Sequence, residues 1–206
     1  MDLVAIDLEG SGAQDRGHEA ILEIALIPIV DWQPDVATAY CTLINPERPI
    51  PQRPWISPGL TDAALRDAPT LATVEPELAQ RINGKYLVGH NVGVDWRLLH
   101  RRSPGITPAG LIDTLRLARL HHNGGLGHKL GALVELLGLT EKVNQFAAGS
   151  KPHRALWDTA AVALVLPVLA RRLLGENPSI DELISAVGIN LIPTKTSGAS
   201  QLTLFD

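Results

Sequence analysis

The sequence has little of what marks a secreted or membrane protein. Cys41 is the only cysteine among 206 residues, so no disulfide can form within the chain, as expected for a reducing compartment. The apolar run nearest to a membrane span, Ala160–Leu166, falls far short of the roughly 18 residues required. No basic leader precedes the first apolar segment, Leu3–Leu8. We therefore expect no secretory signal and a cytoplasmic protein without a membrane partner.

Positive charge is also scarce. The chain has 18 Lys and Arg residues against 22 Asp and Glu residues, for a net charge of −4. This balance argues against a protein that coats nucleic acid through bulk charge. It leaves open an enzyme that grips a few nucleotides at a strand end, because bound divalent cations would supply positive charge there. An apolar content of 45% and a charged content of 19% are typical of a globular protein.

Apolar segments predict five strands. Leu3–Leu8 is nearly continuous apolar sequence and is typical of a buried central strand. Ala20–Val30 and Val36–Ile44 follow without an intervening helical pattern, which predicts three antiparallel strands in succession. Two shorter strands are predicted later in the chain, at Tyr86–Val88 and Gly110–Ile112.

Helical patterns occupy most of the remaining sequence, so the chain is expected to be an α/β protein. The predicted helices are Thr61–Arg66, Thr70–Ile82, Val94–Arg101, Asp113–Leu120, His128–Leu137, Ala155–Leu174 and Ser179–Val187. The last of these has Ser179 as its N-cap and Glu182 at the capping-box position.

The composition divides the chain into three parts. Residues 1–187 carry the periodic segments and form the predicted domain. Residues 188–200 have little periodicity and several small polar residues, which predicts a flexible linker. Residues 201–206 turn apolar again and form a short terminal peptide.

The first acidic segment lies at the end of the first predicted strand. Asp7 and Glu9 are two residues apart, so both carboxylates point from the same face. Two acids at the end of a buried strand are costly unless something compensates them. Divalent Mg²⁺ or Mn²⁺ would do so through hard oxygen ligands. The alternative is a strand end that reaches solvent with two solvated acids.

Two later segments each have an ordinary structural interpretation when they are taken alone. In G-H-N-V-G-V-D, Asp95 suits the first turn of a helix, and His90 and Asn91 suit a turn. In H-R-A-L-W-D, Asp158 lies on a helix followed by an apolar run, where it would be partly buried and require a cation. His153 lies five residues earlier, which favours a loop position before the helix and leaves an exposed loop histidine as the alternative.

Taken together and in this order, the three segments resemble the exonuclease motifs of the DEDDh superfamily. This superfamily of 3′→5′ exonucleases includes the proofreading subunits of bacterial replicases. Three further segments resemble it as well: the strand around Glu23–Ala25, Ile112–Arg119 and Gly127–Leu133. The resemblance covers about residues 3 to 175. It implies a ribonuclease H-like α/β fold whose mixed five-stranded sheet begins with three antiparallel strands and is flanked by helices.

The resemblance also implies a site and a mechanism. It assigns the metal-ligand roles to Asp7, Glu9, Asp95 and Asp158, which would hold two divalent ions, Mg²⁺ or Mn²⁺. It makes His153 the general base that takes a proton from the attacking water. The implied substrate-binding residues are Leu8, Gly10, Ser11, His90 and Asn91. One position departs from the pattern, because this chain has D-L-E-G-S-G where many relatives have D-x-E-T-T-G. Gly10 thus replaces a threonine that helps to hold the terminal nucleotide.

The end of the chain resembles the short peptide that binds the bacterial sliding clamp. Its residues are Gln201, Leu202, Thr203, Leu204 and Phe205. In such a peptide Leu202, Leu204 and Phe205 would enter a hydrophobic groove while Gln201 forms a hydrogen bond at its entrance. The alternative is a tail that packs back on its own domain.

The sequence is compatible with three functions. The leading hypothesis is a DNA 3′→5′ exonuclease that acts on single-stranded or frayed 3′ ends in proofreading or repair, tethered to the clamp, with a DNA polymerase as a further candidate partner. The first alternative is an exoribonuclease of the same fold that trims RNA. The second is a catalytically weak adaptor that binds the clamp. A purely structural domain with scattered solvated acids is disfavoured by the order of the motifs.

Overall fold

One mixed sheet organises the protein. The structure is a computed structural model that describes residues 2–12, 17–51, 53–121, 128–176, 178–189 and 191. The strands within this part of the chain are β1 (Leu3–Gly10), β2 (Ile21–Val30), β3 (Gln33–Pro34), β4 (Tyr40–Leu43), β5 (Tyr86–Gly89), β6 (Gly110–Asp113) and β7 (Gly188–Ile189). They are ordered β3-β2-β1-β5-β6-β7, and β4 also pairs with β2. β1 therefore lies in the interior of the sheet.

The alternation of side chains along β1 places its two faces against different helices. Leu3 and Ala5 belong to one core cluster, together with the apolar residues of the helix α7 (Ala155–Leu174). Val4 and Ile6 belong to a second cluster on the opposite face of the sheet. Because side chains alternate along a strand, Asp7 and Glu9 continue the face of Leu3 and Ala5 and point toward α7.

The antiparallel start of the sheet is confirmed, although the number of strands is larger than predicted. β1 and β2 pair antiparallel, with Asp7 opposite Ala25 and Glu9 opposite Glu23. The predicted strand Val36–Ile44 is wrong in its first half, where Val36–Thr38 forms a 3-10 turn before β4. β3 and β7, of two residues each, bring the described sheet to seven strands instead of five. Such short pairings leave no periodic pattern in the sequence.

Helices cover both faces of the sheet. They are α1 (Asp62–Leu65), α2 (Leu71–Ile82), α3 (Val92–Arg102), α4 (Thr114–His121), α5 (Leu130–Leu136), α6 (Thr140–Phe146), α7 and α8 (Ile180–Val187). The predicted bounds of α7 agree with the structure, and those of the other predicted helices differ by a few residues at their ends. α6 was not predicted, because only Val143 in it is buried and no apolar stripe marks it. No helix among the described residues combines the length and apolar character needed to cross a membrane.

The end of the described chain differs from the predicted linker. The predicted capping box of α8 is confirmed, because Ser179 and Glu182 exchange side-chain and backbone hydrogen bonds. Gly188 and Ile189 then pair with β6, so the prediction of a linker beginning at residue 188 is wrong for these two residues. The terminal peptide at 201–206, with its candidate clamp-binding residues, lies outside the described residues.

Candidate active site

Three carboxylates from two elements converge at one end of β1. Ligand oxygens of Asp7, Glu9 and Asp158 all lie within 4.8 Å of one another. Asp7 and Glu9 come from β1, and Asp158 comes from the first turn of α7, which packs on the same face of the sheet. Three hard oxygen donors at this spacing fit a divalent cation such as Mg²⁺ or Mn²⁺. The sequence predicted that all three belong to one site, and the structure brings them together.

Burial and mutual repulsion disfavour the charged forms of these acids. The pKa of Asp7 is raised well above its usual value by burial and, after that, by the neighbouring carboxylates. Burial raises the pKa of Glu9 to about 7, against the opposing effect of a hydrogen bond from the Ser57 hydroxyl. Burial likewise raises the pKa of Asp158 to about 6. A cation held between the carboxylates would remove this cost, which supports the assignment of a metal site.

The raised pKa values predict an unusual pH dependence of stability for the protein in the presence of a chelator. The folded-state pKa of Glu9, about 7, exceeds its ordinary value of 4.5. Its contribution to stability is therefore fully present below pH 4.5 and is lost as pH rises through 7. We expect Glu9→Gln to stabilise the chelated protein at pH 8 by about 1–3 kcal/mol and to have little effect near pH 4. Denaturant unfolding at both pH values measures this difference, and an equal effect at both would contradict it.

The fourth acid, Asp95, lies beside the three but is engaged with the backbone. Its Oδ1 atom accepts a hydrogen bond of 3.0 Å from the backbone N–H of Leu8. Burial raises the pKa of Asp95 to about 7, although this hydrogen bond opposes the shift. Asp95 is thus held next to β1 from the first turn of α3. Its other oxygen remains the candidate for a metal ligand.

His153 lies where the sequence predicted, in the loop directly before α7. It has a left-handed backbone conformation, with φ of 65°, and its side chain is exposed. The charge of His153 and then a hydrogen bond from its backbone N–H to the carboxylate of Asp158 lower the pKa of that acid, against the larger effect of burial. Among the described residues, the imidazole ring makes no hydrogen bond. It is therefore available to a water molecule or a substrate.

The predicted substrate-binding residues His90, Asn91 and Ser11 each make contacts within the protein. The ring nitrogens of His90 lie 3.0 Å from the Thr114 hydroxyl and 2.7 Å from the carbonyl oxygen of His128. The backbone N–H of Asn91 donates a hydrogen bond to the carboxylate of Asp113. The Ser11 hydroxyl is buried and accepts the N–H of Ala20.

Both ring nitrogens of His90 are occupied within the protein, and its role in substrate binding stays a prediction. The buried Ser11 hydroxyl accepts a hydrogen bond from the backbone of the neighbouring segment, and its role in substrate binding likewise stays a prediction. The side chain of Asn91 is solvent-accessible at the start of α3, and its role in substrate binding stays a prediction.

A cleft of about 340 Å³ opens beside the acids. Its walls include Leu8, Glu9, Gly10, Trp55, Val94, Asp95 and Arg97. Trp55 and Val94 are large apolar side chains that are 47% and 50% exposed, and together with Leu8 they give the cleft an apolar wall suited to a flat base. The Trp55 indole N–H donates to the Ser11 carbonyl oxygen over 3.2 Å, which fixes the ring at the cleft.

Gly10 lies in close contact with its neighbours. A Cβ atom at this position would lie 3.0 Å from the Leu98 side chain and 3.4 Å from the Ala20 carbonyl oxygen. A larger residue such as threonine would therefore require the end of the Leu98 side chain to move by a few tenths of an ångström. Gly10 and Leu98 together shape the floor of the cleft.

Four residues near the site were not among the predicted functional residues. Ser57 donates a hydrogen bond to Glu9, and Trp55 lines the cleft. Glu23 and Arg154 form a buried ion pair next to the acids, with two contacts of 2.8 Å. A glutamate within the otherwise apolar run I-L-E-I-A-L was the one available signal for Glu23, because a buried acid requires a partner.

Comparison with known proteins identifies relatives of most of the chain. A family model described as Exonuclease (RNase_T) matches residues 4–166. A DNA polymerase III subunit epsilon-like protein of Rhodobacter capsulatus is 31% identical over 179 residues, which cover 84% of this chain and 25% of that protein. A 3′-5′ exonuclease DinG of Bacillus subtilis is 26% identical over 174 residues, covering 82% of this chain and 18% of that protein. The chain thus spans about a quarter or less of these curated relatives.

A solved structure agrees with the sequence comparison. Exonuclease X in complex with 5′ overhanging duplex DNA is similar with a TM-score of 0.62 and 29% identity. The similarity covers 82% of this chain and 91% of that chain. The mixed sheet flanked by helices is therefore the ribonuclease H-like fold that the motifs implied.

Proposed function

The chain belongs to the Exonuclease family, and on this premise we propose that it is a metal-dependent 3′→5′ exonuclease that removes nucleoside 5′-monophosphates from DNA 3′ ends. The observation that carries the proposal is the convergence of Asp7, Glu9 and Asp158 beside the His153 loop. Such a constellation suits phosphodiester hydrolysis, in which negative charge builds up on the phosphate and a water molecule must lose a proton.

In the proposed reaction, the protein positions the strand end and moves one proton. Asp7, Glu9 and Asp158, with Asp95 beside them, would hold the divalent ions, whose chemistry is to neutralise the phosphate and lower the pKa of water. His153 accepts a proton from the water that attacks the terminal phosphorus. The bond to the 3′ oxygen of the preceding nucleotide breaks, which releases a nucleoside 5′-monophosphate and a shortened strand. The apolar wall formed by Leu8, Trp55 and Val94 would contact the terminal base.

DNA is the proposed substrate for two reasons. The similar Exonuclease X structure holds duplex DNA, and the Rhodobacter relative is named for a DNA polymerase subunit. The terminal Q-L-T-L-F sequence supports a tether to the sliding clamp, and with it a role in replication proofreading or repair. A clamp tether would also raise the effective concentration of an acidic nuclease at a DNA end.

The decisive experiment compares nucleic acids of one sequence. Full-length protein is incubated with 5′-labelled single-stranded DNA or RNA, with Mg²⁺ or Mn²⁺ and with a chelator. Progressive shortening from the 3′ end of DNA, dependent on metal, supports the proposal. Preferential shortening of RNA would assign the chain to the RNA-trimming alternative, and no shortening of either would refute exonuclease activity and favour the adaptor.

Removal of residues 201–206 should separate clamp binding from catalysis. We expect the truncated protein to keep its rate on short oligonucleotides and to lose binding to a purified bacterial sliding clamp by about 100-fold, because two leucines and a phenylalanine anchor such peptides. Surface plasmon resonance with immobilised clamp measures the loss. A Thr203→Ala variant is the matched control, since this residue is not among the predicted anchors. Equal clamp binding by the truncated and full chains would contradict the prediction.

A further inference from the structure

A buried ion pair connects the start of α7 to the sheet directly beside the active site. Arg154 Nε and an Arg154 terminal nitrogen each lie 2.8 Å from an oxygen of Glu23 on β2. The Glu23 side chain is 5% exposed and the Arg154 side chain 25% exposed. Glu23 Oε2 also accepts the backbone N–H of Ala155 at 3.2 Å. A planar, bidentate pair of this kind fixes both the distance and the direction between the two elements.

The same turn carries His153. His153 has a left-handed backbone conformation and directly precedes Arg154. The carbonyl oxygen of Arg154 accepts hydrogen bonds from the backbone N–H groups of Trp157 and Asp158. Because the imidazole ring has no hydrogen-bond partner among the described residues, the backbone of this turn determines where the ring lies. Arg154 is the side chain that anchors this backbone to β2. Loss of the anchor would leave the ring in place only part of the time.

The surroundings of the pair argue against a role in metal binding and against a role in stability alone. Glu23 lies opposite Glu9 in the β1–β2 register, so it is a fifth carboxylate beside a cluster that already repels itself. Its oxygens are occupied by Arg154 and Ala155, which leaves it unsuited as a metal ligand. As a device for stability alone it would be costly, because a buried ion pair is often no more stable than apolar residues of similar size.

We propose that the Glu23–Arg154 ion pair positions His153 for proton transfer, so that both are positioning residues of the active site. This inference rests on the proposed exonuclease function and deepens it. If the pair acts through His153, removal of the pair should lower kcat only in a protein that still has the His153 imidazole. A role in metal binding or in general stability would instead persist after His153 has been removed.

The test is a cycle of full-length variants. Arg154→Met alone would leave the charge of Glu23 buried without a compensating cation, so the pair is replaced together as Glu23→Gln with Arg154→Met. This double variant, His153→Ala and the triple variant are compared with the wild type on 5′-labelled single-stranded DNA. The remote pair on α2, Glu77 and Arg81, replaced as Glu77→Gln with Arg81→Met, is the matched control.

We expect the double variant to lower kcat by about 10- to 100-fold, as a misplaced catalytic group does. KM for DNA and the Kd for Mn²⁺ should change by no more than about twofold, and the triple variant should equal His153→Ala within about twofold. Amide hydrogen exchange across residues 151–158 should become faster in the double variant, while exchange in β1 stays the same. The Glu77 and Arg81 control should retain wild-type kcat.

Three results would overturn the inference. The double replacement could lower the rate of His153→Ala by the same factor as it lowers that of the wild type. It could weaken Mn²⁺ binding in proportion to kcat, or leave kcat unchanged. Absence of activity in the wild type is a distinct result, because it overturns the proposed exonuclease function itself and the inference with it.

Discussion

Replacement of Asp7 by asparagine should lower exonuclease turnover by about 10³-fold or more while the fold is retained. Asp7 lies on the interior strand β1, where its carboxylate is within 4.8 Å of ligand oxygens of Glu9 and Asp158. Asparagine has nearly the same shape but no charge, so the site keeps its packing and loses one anionic ligand. A divalent cation would then be held more weakly and in an altered position.

Stability should move in the opposite direction to activity. Burial and then the neighbouring carboxylates raise the pKa of Asp7 well above its usual value, so the charged form is unfavourable in the folded protein without a cation. A neutral side chain removes this repulsion. The chelated Asp7→Asn protein should therefore melt at the wild-type temperature or above it at pH 8, as is common when an active-site charge is removed.

Three measurements on purified protein check this expectation. They are kcat on 5′-labelled DNA with Mn²⁺, the Kd for Mn²⁺, and the melting temperature in chelator. Glu77→Gln is the matched control, because it removes one carboxylate from α2, where Glu77 pairs with Arg81 rather than with the acid cluster. Turnover of Asp7→Asn close to that of the wild type would remove Asp7 from the metal site.

The sequence predicted one part of the site from local periodicity and another part from the resemblance. The alternation along β1 places Asp7 and Glu9 on one face, and the apolar run after Asp158 predicts a helix in which this acid is partly buried. Periodicity does not place Asp158 beside the two acids of the strand, and only the resemblance to the DEDDh motifs assigned the three to one site. The structure brings them together where the first turn of α7 meets β1.

The contacts that the sequence did not predict join partners far apart in the sequence. The His90 ring, for example, is bound by Thr114 and the carbonyl oxygen of His128. Glu23 and Arg154 are 131 positions apart, and nothing in the local sequence around either residue predicts the other. Hydrogen bonds of this kind can be predicted only once the order of the strands in the sheet is known.

Short elements were missed for a different reason. The strand β7 and the helix α6 are too short for periodicity to appear, and each is stabilised by its tertiary neighbours rather than by its own pattern. For α6 one such neighbour is Trp157, whose indole N–H donates to Asn144 at 2.9 Å. Tertiary contacts of this kind override weak local preference, as expected from the small size of intrinsic propensities.

Replacement of His153 by alanine should lower kcat by about 10²–10⁴-fold with little change in KM for DNA. The imidazole is exposed in the loop before α7 and has no hydrogen-bond partner among the described residues, so its loss removes no contact that the fold requires. Alanine keeps the backbone N–H at position 153, which donates a hydrogen bond to the carboxylate of Asp158. The metal ligands should therefore stay in place, and the Kd for Mn²⁺ should change by no more than about twofold.

Chemical rescue distinguishes a proton acceptor from a structural residue. Free imidazole in solution should restore part of the activity of His153→Ala, because the missing group is a base that solvent can replace, whereas it should not restore Asp7→Asn, which lacks a fixed ligand. His100→Ala is the matched control, since this exposed histidine lies at the end of α3 and stacks on Trp96. Wild-type kcat in His153→Ala would exclude His153 as the base. A loss of Mn²⁺ binding equal to the loss of rate would show instead that the loop acts on the metal ligands through Asp158.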